Sequence, residues 1–488
     1  MRHVDAVCGL AGGGPVPAPS FGWLHSFSTC ASRGASMSTY LAESTLRESD
    51  GGSRLLLESA LGATPNGLVQ NPSFFRGFAA RPDVVANALL AVADVAASRY
   101  FDAAFRLSDV LDPVMTAGGD RLRCESFSAC NGVYARLDLL EAGLDGGEIG
   151  FGTTNVDINS ALRSALANVH RNELLHLAVG RDGLLVSTPA ESHLERKVEL
   201  PDRWVRGFAE TPGIAAGMSH LATMGGPAMA QFLSSLPAAR PGRTLVLLPS
   251  ARGFREVTTA RPHSVTLAGT GRLAAARRVA RFATRVDIFK HGSGSSAWVF
   301  QLPGANFTLL LSPAAARGFS GEGGIPESLA APGAEADGQT VLKFLSWHSV
   351  VSAGELQAKT GLAAPRINHG LAYLGASGKV GFDLYEGEYF HRELPLDRKR
   401  TVKDYPRLAA ARSVLAGGGV VRREHWWEVR STAGTYAYRI SGSDGSYRCT
   451  CPWWMDNRGS RGPCKHVLAV RLHLLDAGGN REGDLYGD

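Results

Sequence analysis

The pattern of hydrophobic and polar positions predicts helix in the first part of the chain. In PDVVANALLAVADVAASRYF the apolar spacing is typical of a largely buried helix. Pro82 lies at the start of this stretch, and a proline fits a first helical turn because its missing N–H would have no partner there. We therefore predict that residues 37–100 are mostly helical.

Strands and helices alternate between about residues 120 and 320. Alternating patterns predict a strand in SFSACNGVYARLDLL that carries Cys130, and hairpins in ELLHLAVGRDGLLVSTP and SSAWVFQLPGANFTLLLS. The segments TLVLLPS and SVTLAG are typical of buried strands, and DINSALRSALANV predicts a helix capped by Asp157 or Asn159. The fold class that follows is α+β, with a mixed α/β body.

Residues 339–395 carry a different pattern, which predicts three helices followed by a two-stranded hairpin. Ser352 and Glu355 stand three positions apart, as in a capping box, at the start of the second helix. This order of elements is typical of a winged helix-turn-helix, whose third helix would present Arg366, Asn368 and His369 to a groove.

The charge of this winged-helix-like segment does not decide whether its partner is DNA or protein. The candidate phosphate contacts are Lys359, Arg366, Lys379 and Arg392. Several carboxylates oppose them, and a DNA-binding protein usually carries a larger excess of positive charge. Because winged helices also dock on proteins, DNA and protein remain alternative partners.

Composition narrows the class of protein. A chain of 488 residues with 44% hydrophobic and 20% charged residues predicts several soluble domains. We find no apolar run that would span a membrane, so we expect no membrane partner. Seven dispersed cysteines argue against a disulfide scaffold and favour a cytoplasmic location. The net charge of +6 permits a nucleic-acid partner without requiring one.

The body carries little recognisable chemistry. It has no phosphate-binding G-x-x-x-x-G-K-[ST] loop, no G-x-S-x-G nucleophile motif and no H-E-x-x-H pair. We therefore expect no enzyme, and an enzyme of unknown chemistry in residues 100–320 is the minor alternative. One basic cluster forms either a phosphate-binding patch or a solvated helix face; its members are Arg272, Arg277, Arg278, Arg281 and Arg285.

The strongest signal lies near the C terminus, in YRCTCPWWMDNRGSRGPCKHVLAV. It contains Cys449, Cys451, Cys464 and His466 in the spacing C-x-C, twelve residues, C-x-H. Three thiolates and one imidazole satisfy a tetrahedral zinc ion, and four protein ligands leave no open position for catalysis. We predict one structural Zn²⁺ bound by these four residues.

The surroundings of this quartet predict a small zinc module. Alternating patterns predict an antiparallel meander of three strands, in EHWWEVRS, TYAYRISG and SYRCTC. A helix that begins at the C-x-H pair is predicted in KHVLAVRLHLL. One of Trp426 and Trp427 is expected to be buried, because neighbours on a strand face opposite ways. Trp453 and Trp454 are expected in a loop, where they are the better candidates for contact with a partner.

This motif resembles the SWIM-type zinc finger, over roughly residues 436–475. The resemblance implies a small ββα zinc fold that binds DNA or other proteins. The layout is similar to bacterial SWIM-finger proteins encoded beside an AAA+ ATPase and a von Willebrand A-domain protein, which implies such a system as a candidate protein partner. The chain lacks the helicase and transposase domains of other SWIM proteins, so their activities are not transferred.

Together these patterns predict a multidomain chain. The predicted function is a non-enzymatic, zinc-binding adaptor that engages protein, nucleic acid or both, and the alternative is a DNA-binding regulator that combines the winged-helix-like segment with the zinc finger. Met37, which opens MSTYLAEST, is predicted as an alternative start to Met1. The predicted divisions are a disordered extension (1–36), a body (37–320), a linker (321–338), the winged-helix-like segment (339–395), a basic linker (396–420), the zinc finger module (421–478) and a tail (479–488).

Overall fold

The computed structural model describes five short strands within residues 39–69, and residues 73–483 with gaps. Residues 37–488 form one compact unit. The predicted extension 1–36 lies outside the described residues. The gaps after residue 73 are 101–112, 181–182, 197–199, 238–242, 251–252, 320–323, 347, 395–405, 432–435, 444–445 and 460.

Strands occupy the described residues between 39 and 79, so the prediction of helix there was wrong. They are β1 (Thr39–Tyr40), β2 (Thr45–Ser49), β3 (Gly52–Leu56), β4 (Ala60–Thr64), β5 (Gly67–Val69) and β6 (Ser73–Ala79). The β-conformation of β6 depends on pairing with strands from residues 144–180, which a local pattern does not reveal. The predicted buried helix is confirmed as α1 (Pro82–Ala96), with Pro82 in its first turn.

The body contains the remaining strands of two larger sheets, four strands of two three-stranded sheets (β15 beside β3 and β2, and β17–β19), and several helices. The strands are β7 (Val114–Gly118), β8 (Arg121–Phe127), β9 (Val133–Leu140), β10 (Leu144–Ile149), β11 (Phe151–Asn155), β12 (His176–Gly180), β13 (Gly183–Ser187), β14 (Ser192–Arg196), β15 (Leu200–Pro201), β16 (Ser219–Gly225), β17 (Thr244–Ser250), β18 (Gly253–Val257), β19 (Val265–Ala268), β20 (Arg285–Lys290), β21 (Ser296–Leu302) and β22 (Ala305–Leu311). The helices are α2 (Ser160–Ala167), α3 (Asp202–Ala216), α4 (Gly226–Ser235) and α5 (Ala276–Ala280).

These strands form antiparallel sheets. An eight-stranded sheet has the order β11-β7-β8-β9-β22-β21-β20-β16, and a five-stranded sheet has the order β10-β6-β12-β13-β14. The β12–β13 and β21–β22 hairpins and strands β17 and β19 confirm the sequence predictions, and Asn159 caps α2 by accepting two backbone N–H groups.

The segment predicted as a strand carrying Cys130 is instead a hairpin. Phe127 ends β8, Val133 begins β9, and Cys130 lies in the turn between them. Asn131 in this turn has φ 55°, a left-handed conformation that asparagine tolerates better than most residues. The turn therefore splits the alternating pattern into two strands.

The two faces of the eight-stranded sheet differ in chemistry. On one face, residues such as Leu137, Trp298 and Phe307 pack with α1 and α5 in the largest hydrophobic cluster. On the other face, Phe127 and Val299 pack with α3, and charged side chains of β8 and β9 are buried beside them. Burial of charge requires partners, and these come from later in the chain.

The chain continues with three helices and a hairpin, in the order predicted for residues 339–395. A short helix α6 (Ile325–Ser328) comes first, and the described elements are then α7 (Ala334–Leu345), α8 (Ala353–Thr360), α9 (Ala364–Ala376), β23 (Val380–Asp383) and β24 (Glu388–His391). The α7 helix begins within the segment interpreted as a linker, 321–338. The Ser352 hydroxyl caps α8 by accepting the N–H of Glu355, as predicted.

The β23–β24 hairpin is attached to the eight-stranded sheet through buried ion pairs, which we call the ionic junction. Asp383 contacts Arg123 at 3.1 Å and Arg136 at 2.8 Å, and Asp138 contacts the same two arginines. Arg392, just after β24, pairs with Glu125. The members of the ionic junction are each nearly inaccessible to solvent: Arg123, Glu125, Arg136, Asp138, Asp383 and Arg392.

The C-terminal module, residues 406–475, is built from a four-stranded sheet and three helices. Its elements are α10 (Pro406–Ala416), β25 (Val420–Arg422), β26 (Trp427–Arg430), β27 (Ala437–Ser443), β28 (Ser446–Cys449), α11 (Pro452–Asn457) and α12 (Lys465–Gly483), the last extending past residue 475. The sheet order is β25-β26-β27-β28. Helix α10 lies in the segment interpreted from the sequence as a basic linker, 396–420, and strand β25 begins at its last residue.

The structure as a whole is a mixed α/β protein with several sheets. Among the described residues, no helix has the length and apolar character needed to cross a bilayer.

Candidate metal centre

The β27–β28 hairpin positions the first pair of cysteines. Ile440 on β27 pairs with Cys449 on β28, and both side chains are buried against helix α12. Cys451 follows two residues later at the N-cap of α11. Because alternate residues of an extended chain point the same way, Cys449 and Cys451 direct their sulfurs to one side.

The start of α12 positions the second pair. Cys464 immediately precedes this helix and His466 is its second residue. The prediction that the C-x-H pair lies at the first turn of a helix is therefore confirmed. The hairpin and the helix meet at these residues, so the four side chains converge although a twelve-residue segment separates the pairs.

The four donor atoms form a compact cluster. They all lie within 4.8 Å of one another, and each of the four residues is no more than 4% exposed. Nδ1 of His466 is 3.8 Å from the Cys449 sulfur and 4.0 Å from the Cys464 sulfur. Ligands at zinc bonding distances around a tetrahedron are separated by about 3.5–3.8 Å, so the spacing fits a zinc ion.

Backbone amides support each sulfur. The N–H of Cys451 donates to the Cys449 sulfur, that of Trp454 to the Cys451 sulfur, and that of Val467 to the Cys464 sulfur, at 3.4–3.5 Å. Such donors favour thiolates, the form that binds metal. The donor set and its supporting hydrogen bonds therefore suit one tetrahedral zinc ion.

The clustered thiols also shift one another's pKa values. Hydrogen bonds to the sulfurs of Cys451 and Cys464 raise the pKa of the Cys449 thiol, whereas hydrogen bonds from Cys449 and Cys464 lower the pKa of Cys451. Without a cation, one thiolate is stabilised by its protonated neighbours. A divalent ion would stabilise all three thiolates together.

Helix α10 supports the site from outside the motif. The Arg407 guanidinium donates to the carbonyl oxygens of Arg461 and Pro463, at 2.6 and 3.1 Å, and lies 4.8 Å from the centre of the Trp453 ring. These contacts fix the loop that leads into Cys464. The sequence reasoning missed this role, although the apolar spacing of Leu408 and Ala411 is compatible with a helix.

The prediction for the neighbouring pair Trp426 and Trp427 is confirmed, whereas Trp453 and Trp454 do not lie in the expected loop. Trp427 is buried and Trp426 is half-buried, so the expected difference between these neighbours is observed. Trp453 and Trp454 lie on helix α11 rather than in a loop, and both are half-buried against the core of the module. The N-cap at Cys451 and Pro452 in the first turn favour this short helix.

The core around the cysteines reaches beyond the module. One hydrophobic cluster contains three cysteines of the site together with residues from distant elements: Ala209 of α3, Ile325 of α6, Ala376 of α9, and Leu408, Ala411 and Val414 of α10. The hydrophobic core around the zinc site is therefore continuous with the helices of the preceding segment.

The other predicted basic sites are largely neutralised or buried. In the winged-helix-like segment, Lys359 pairs with Glu355, Arg366 with Asp337, Lys379 with Glu393, and Arg392 with Glu125. Arg392 is 1% exposed, so its prediction as a phosphate contact was wrong. Its burial follows from the ionic junction, which no local pattern reveals.

The arginine cluster of residues 272–285 is also dispersed by the fold. Arg272 is buried and donates to backbone carbonyls, including that of Ser312. Arg278 pairs with Asp94, and Arg285 with Asp287. These arginines therefore do not form one free phosphate-binding patch.

The geometry defines the C-terminal module as a zinc finger, in which four buried donors close a single metal site. Residues 438–475 match the family model of the SWIM zinc finger, and this range contains all four donors. The match leaves out α10, β25 and β26, although these elements belong to the same module.

Comparisons with whole proteins add little. No curated protein matches the chain. Among solved structures, the chain is similar to the proliferating cellular nuclear antigen from Entamoeba histolytica, with a TM-score of 0.33 and 11% sequence identity, over 49% of this chain and 99% of that one. A similarity at this level carries no conclusion about fold or function.

Proposed function

We propose that the protein is a non-enzymatic adaptor whose zinc ion is structural. The observation that supports this is the closed donor set: three cysteines and one histidine, all buried, occupy the four positions of a tetrahedral site. A catalytic zinc keeps one position for water or substrate. The ion would instead stabilise a small module that presents its outer surface to a partner.

The shared hydrophobic core supports an adaptor made of several elements. Because Ala209 and Ala376 belong to the same cluster as Cys449, the zinc module shares a hydrophobic core with helices α3 and α9. The binding surface of the adaptor would then combine the zinc finger and the winged-helix-like segment. A cytoplasmic protein partner is expected, and the resemblance to bacterial SWIM-finger proteins makes an AAA+ ATPase or a von Willebrand A-domain protein the first candidate.

The winged-helix interpretation has some structural support. A β-bridge joins Val351, between α7 and α8, to Tyr389 of the hairpin, which gives the hairpin a third short strand. The alternative function, a regulator that binds duplex DNA through α9, is less well supported. Each of the proposed phosphate contacts already has a carboxylate partner, so binding a phosphate would require breaking an ion pair.

An enzyme in residues 100–320 is also less well supported. Among the described residues, His220, Thr223 and Asp287 form a cluster that resembles a catalytic triad in residue type. However, Nε2 of His220 contacts both the Thr223 hydroxyl and the Asp287 carboxylate. A proton relay needs the two ring nitrogens to serve different partners. This geometry does not supply one.

Affinity capture with the full-length protein tests the adaptor proposal. Tagged wild-type protein, a Cys464→Ser variant and a Cys130→Ser control are incubated with native extract, and captured proteins are identified by mass spectrometry. We expect a defined partner with wild type and the control, and its loss with Cys464→Ser. The purified partner should likewise bind wild type and the Cys130→Ser control, and it should fail to bind Cys464→Ser. Equal capture by all three proteins would contradict the proposal.

A further inference from the structure

The sheet of the C-terminal module has a basic outer face. Alternation buries Trp427, Val429, Ile440 and Cys449 on the inner side, so the residues between them face outward. We define the outer face by its basic and aromatic members: Arg423, Trp426, Arg430, Arg439 and Arg448.

The charge of the outer face is only partly balanced. Arg423 pairs with Glu428 at 2.9 Å. Within the described part of the chain, Arg430, Arg439 and Arg448 are exposed and form no ion pair. Among the described residues of this sheet and its turns, the acidic residues are Glu424 and Glu428, so the four arginines of the outer face exceed these two carboxylates by two. Such an excess attracts a polyanion.

The face also offers a stacking platform. The Arg439 guanidinium lies 5.3 Å from the centre of the half-buried Trp426 ring. Arg439 lies opposite Glu428 on one side and is hydrogen-bonded through its backbone to Thr450 on the other, which holds it near the middle of the sheet. Unpaired bases stack on tryptophan rings and on guanidinium planes.

From these observations we infer that the outer face binds single-stranded nucleic acid. A flat sheet with a stacking side chain suits bases that are not paired, whereas duplex recognition by a groove usually uses a helix or a ribbon. Most of the other basic candidates, on α9 and in residues 272–285, are engaged by carboxylates or carbonyls, and Arg281 lies over the Phe282 ring. The inference rests on the proposed function in one respect: Cys449 lies on the inner side of the same sheet, so zinc would order the face.

Fluorescence polarisation with labelled dT12 and rU12 tests the inference on the zinc-loaded full-length protein. We expect wild type to bind at 50 mM salt, and the double variant Arg439→Glu/Arg448→Glu to bind at least about tenfold more weakly. The plot of log K against log salt concentration should become less steep by about 1.4 for this variant, because two phosphate contacts are lost. The matched control is Arg255→Glu on β18, an exposed strand arginine of another sheet.

A second variant separates stacking from charge. Trp426→Ala should weaken binding about tenfold with an unchanged salt slope, and Trp426→Phe should restore most of it. Zinc content is measured for every variant, because a change there would indicate loss of the fold. The dT12 and rU12 arms distinguish DNA from RNA as the source of the strand.

Three results would overturn the inference: no binding by wild type, equal weakening by Arg255→Glu, or displacement of the oligonucleotide by polyglutamate as effectively as by an unlabelled strand of equal charge. The last result would indicate an acidic protein partner. If oligonucleotide binding is absent while zinc-dependent capture of a protein persists, this inference fails and the adaptor proposal stands.

Discussion

The C-terminal zinc site and the ionic junction both bury groups that would prefer water, and they neutralise these groups in different ways. At the zinc site the donors are three cysteines and a histidine, and the compensating positive charge must come from an ion. At the ionic junction the chain supplies both signs, with Arg123 and Arg136 around Asp138 and Asp383.

This difference determines what each region depends on. The zinc site responds to chelators, to oxidation of its thiols and to the concentration of zinc. The ionic junction responds to pH and to loss of any one partner, because an unpaired buried charge is costly. The four predictions below test this comparison, starting with the largest expected effect.

Removal of one zinc ligand should unfold the C-terminal module. In Cys464→Ser we expect close to one zinc per chain to fall to none, since structural zinc contributes about 10 kcal/mol in zinc-finger peptides. Metal analysis and limited proteolysis of the module measure the effect. The control is Cys130→Ser, which lies in a turn of the body and should retain zinc. Retention of zinc by the Cys464→Ser variant would contradict the assignment.

Loss of one carboxylate should destabilise the ionic junction. Asp383→Ala leaves Arg123 and Arg136 with one buried partner fewer, and we expect a loss of about 3–5 kcal/mol in the free energy of unfolding. Denaturant unfolding followed by tryptophan fluorescence measures it. Glu355→Ala, which breaks the exposed pair with Lys359, should cost less than about 1 kcal/mol. Similar costs for the two variants would remove the distinction between buried and surface pairs.

The carboxylates near the hairpin should also make stability depend on pH. Burial alone would raise the pKa of Glu393, but its hydrogen bond from His391 and the charge of Lys379 lower this pKa to about 2. A carboxyl with a lowered folded pKa stabilises the fold above its unfolded pKa, near 4.5, and this contribution is lost as pH falls towards 2.

We therefore expect Glu393→Gln to be less stable than wild type by about 1–3 kcal/mol at pH 7, with the difference shrinking between pH 4.5 and pH 2. Unfolding at several pH values measures it. We expect wild type and variant to release zinc alike in acid. The difference between their free energies of unfolding therefore reports on Glu393 alone. A difference that stays constant down to pH 2 would argue against an ionised Glu393 in the folded protein.

The smallest effect is expected from the helix that supports the zinc loop. Arg407→Ala removes two hydrogen bonds to the loop before Cys464, and we expect zinc affinity to fall about tenfold, as for other residues that orient metal ligands. Competition with a chromophoric chelator measures it. Arg412→Ala, on an exposed position of the same helix, is the matched control. Equal affinities of the two variants would mean that α10 does not contribute to the site.

The zinc site was predictable because its information is local. The four zinc ligands lie within eighteen residues of sequence: Cys449, Cys451, Cys464 and His466. Closely spaced thiols and an imidazole are typical of few kinds of site other than a metal site. The helix at Pro82, the cap at Ser352 and the β12–β13 and β21–β22 hairpins were predicted for the same reason. Periodicity and capping are set by neighbours in the chain.

The tertiary structure decided what distant residues do to one another. Arg392 is indistinguishable from a surface arginine in the sequence, yet its partner Glu125 lies 267 residues away. The described residues between 39 and 79 form strands because pairing with other strands supplies hydrogen bonds that a local sequence pattern does not reveal. The sequence by itself determined the metal site and most local elements. Packing across the chain decided which charges are buried, which arginines remain free, and which helices support the zinc.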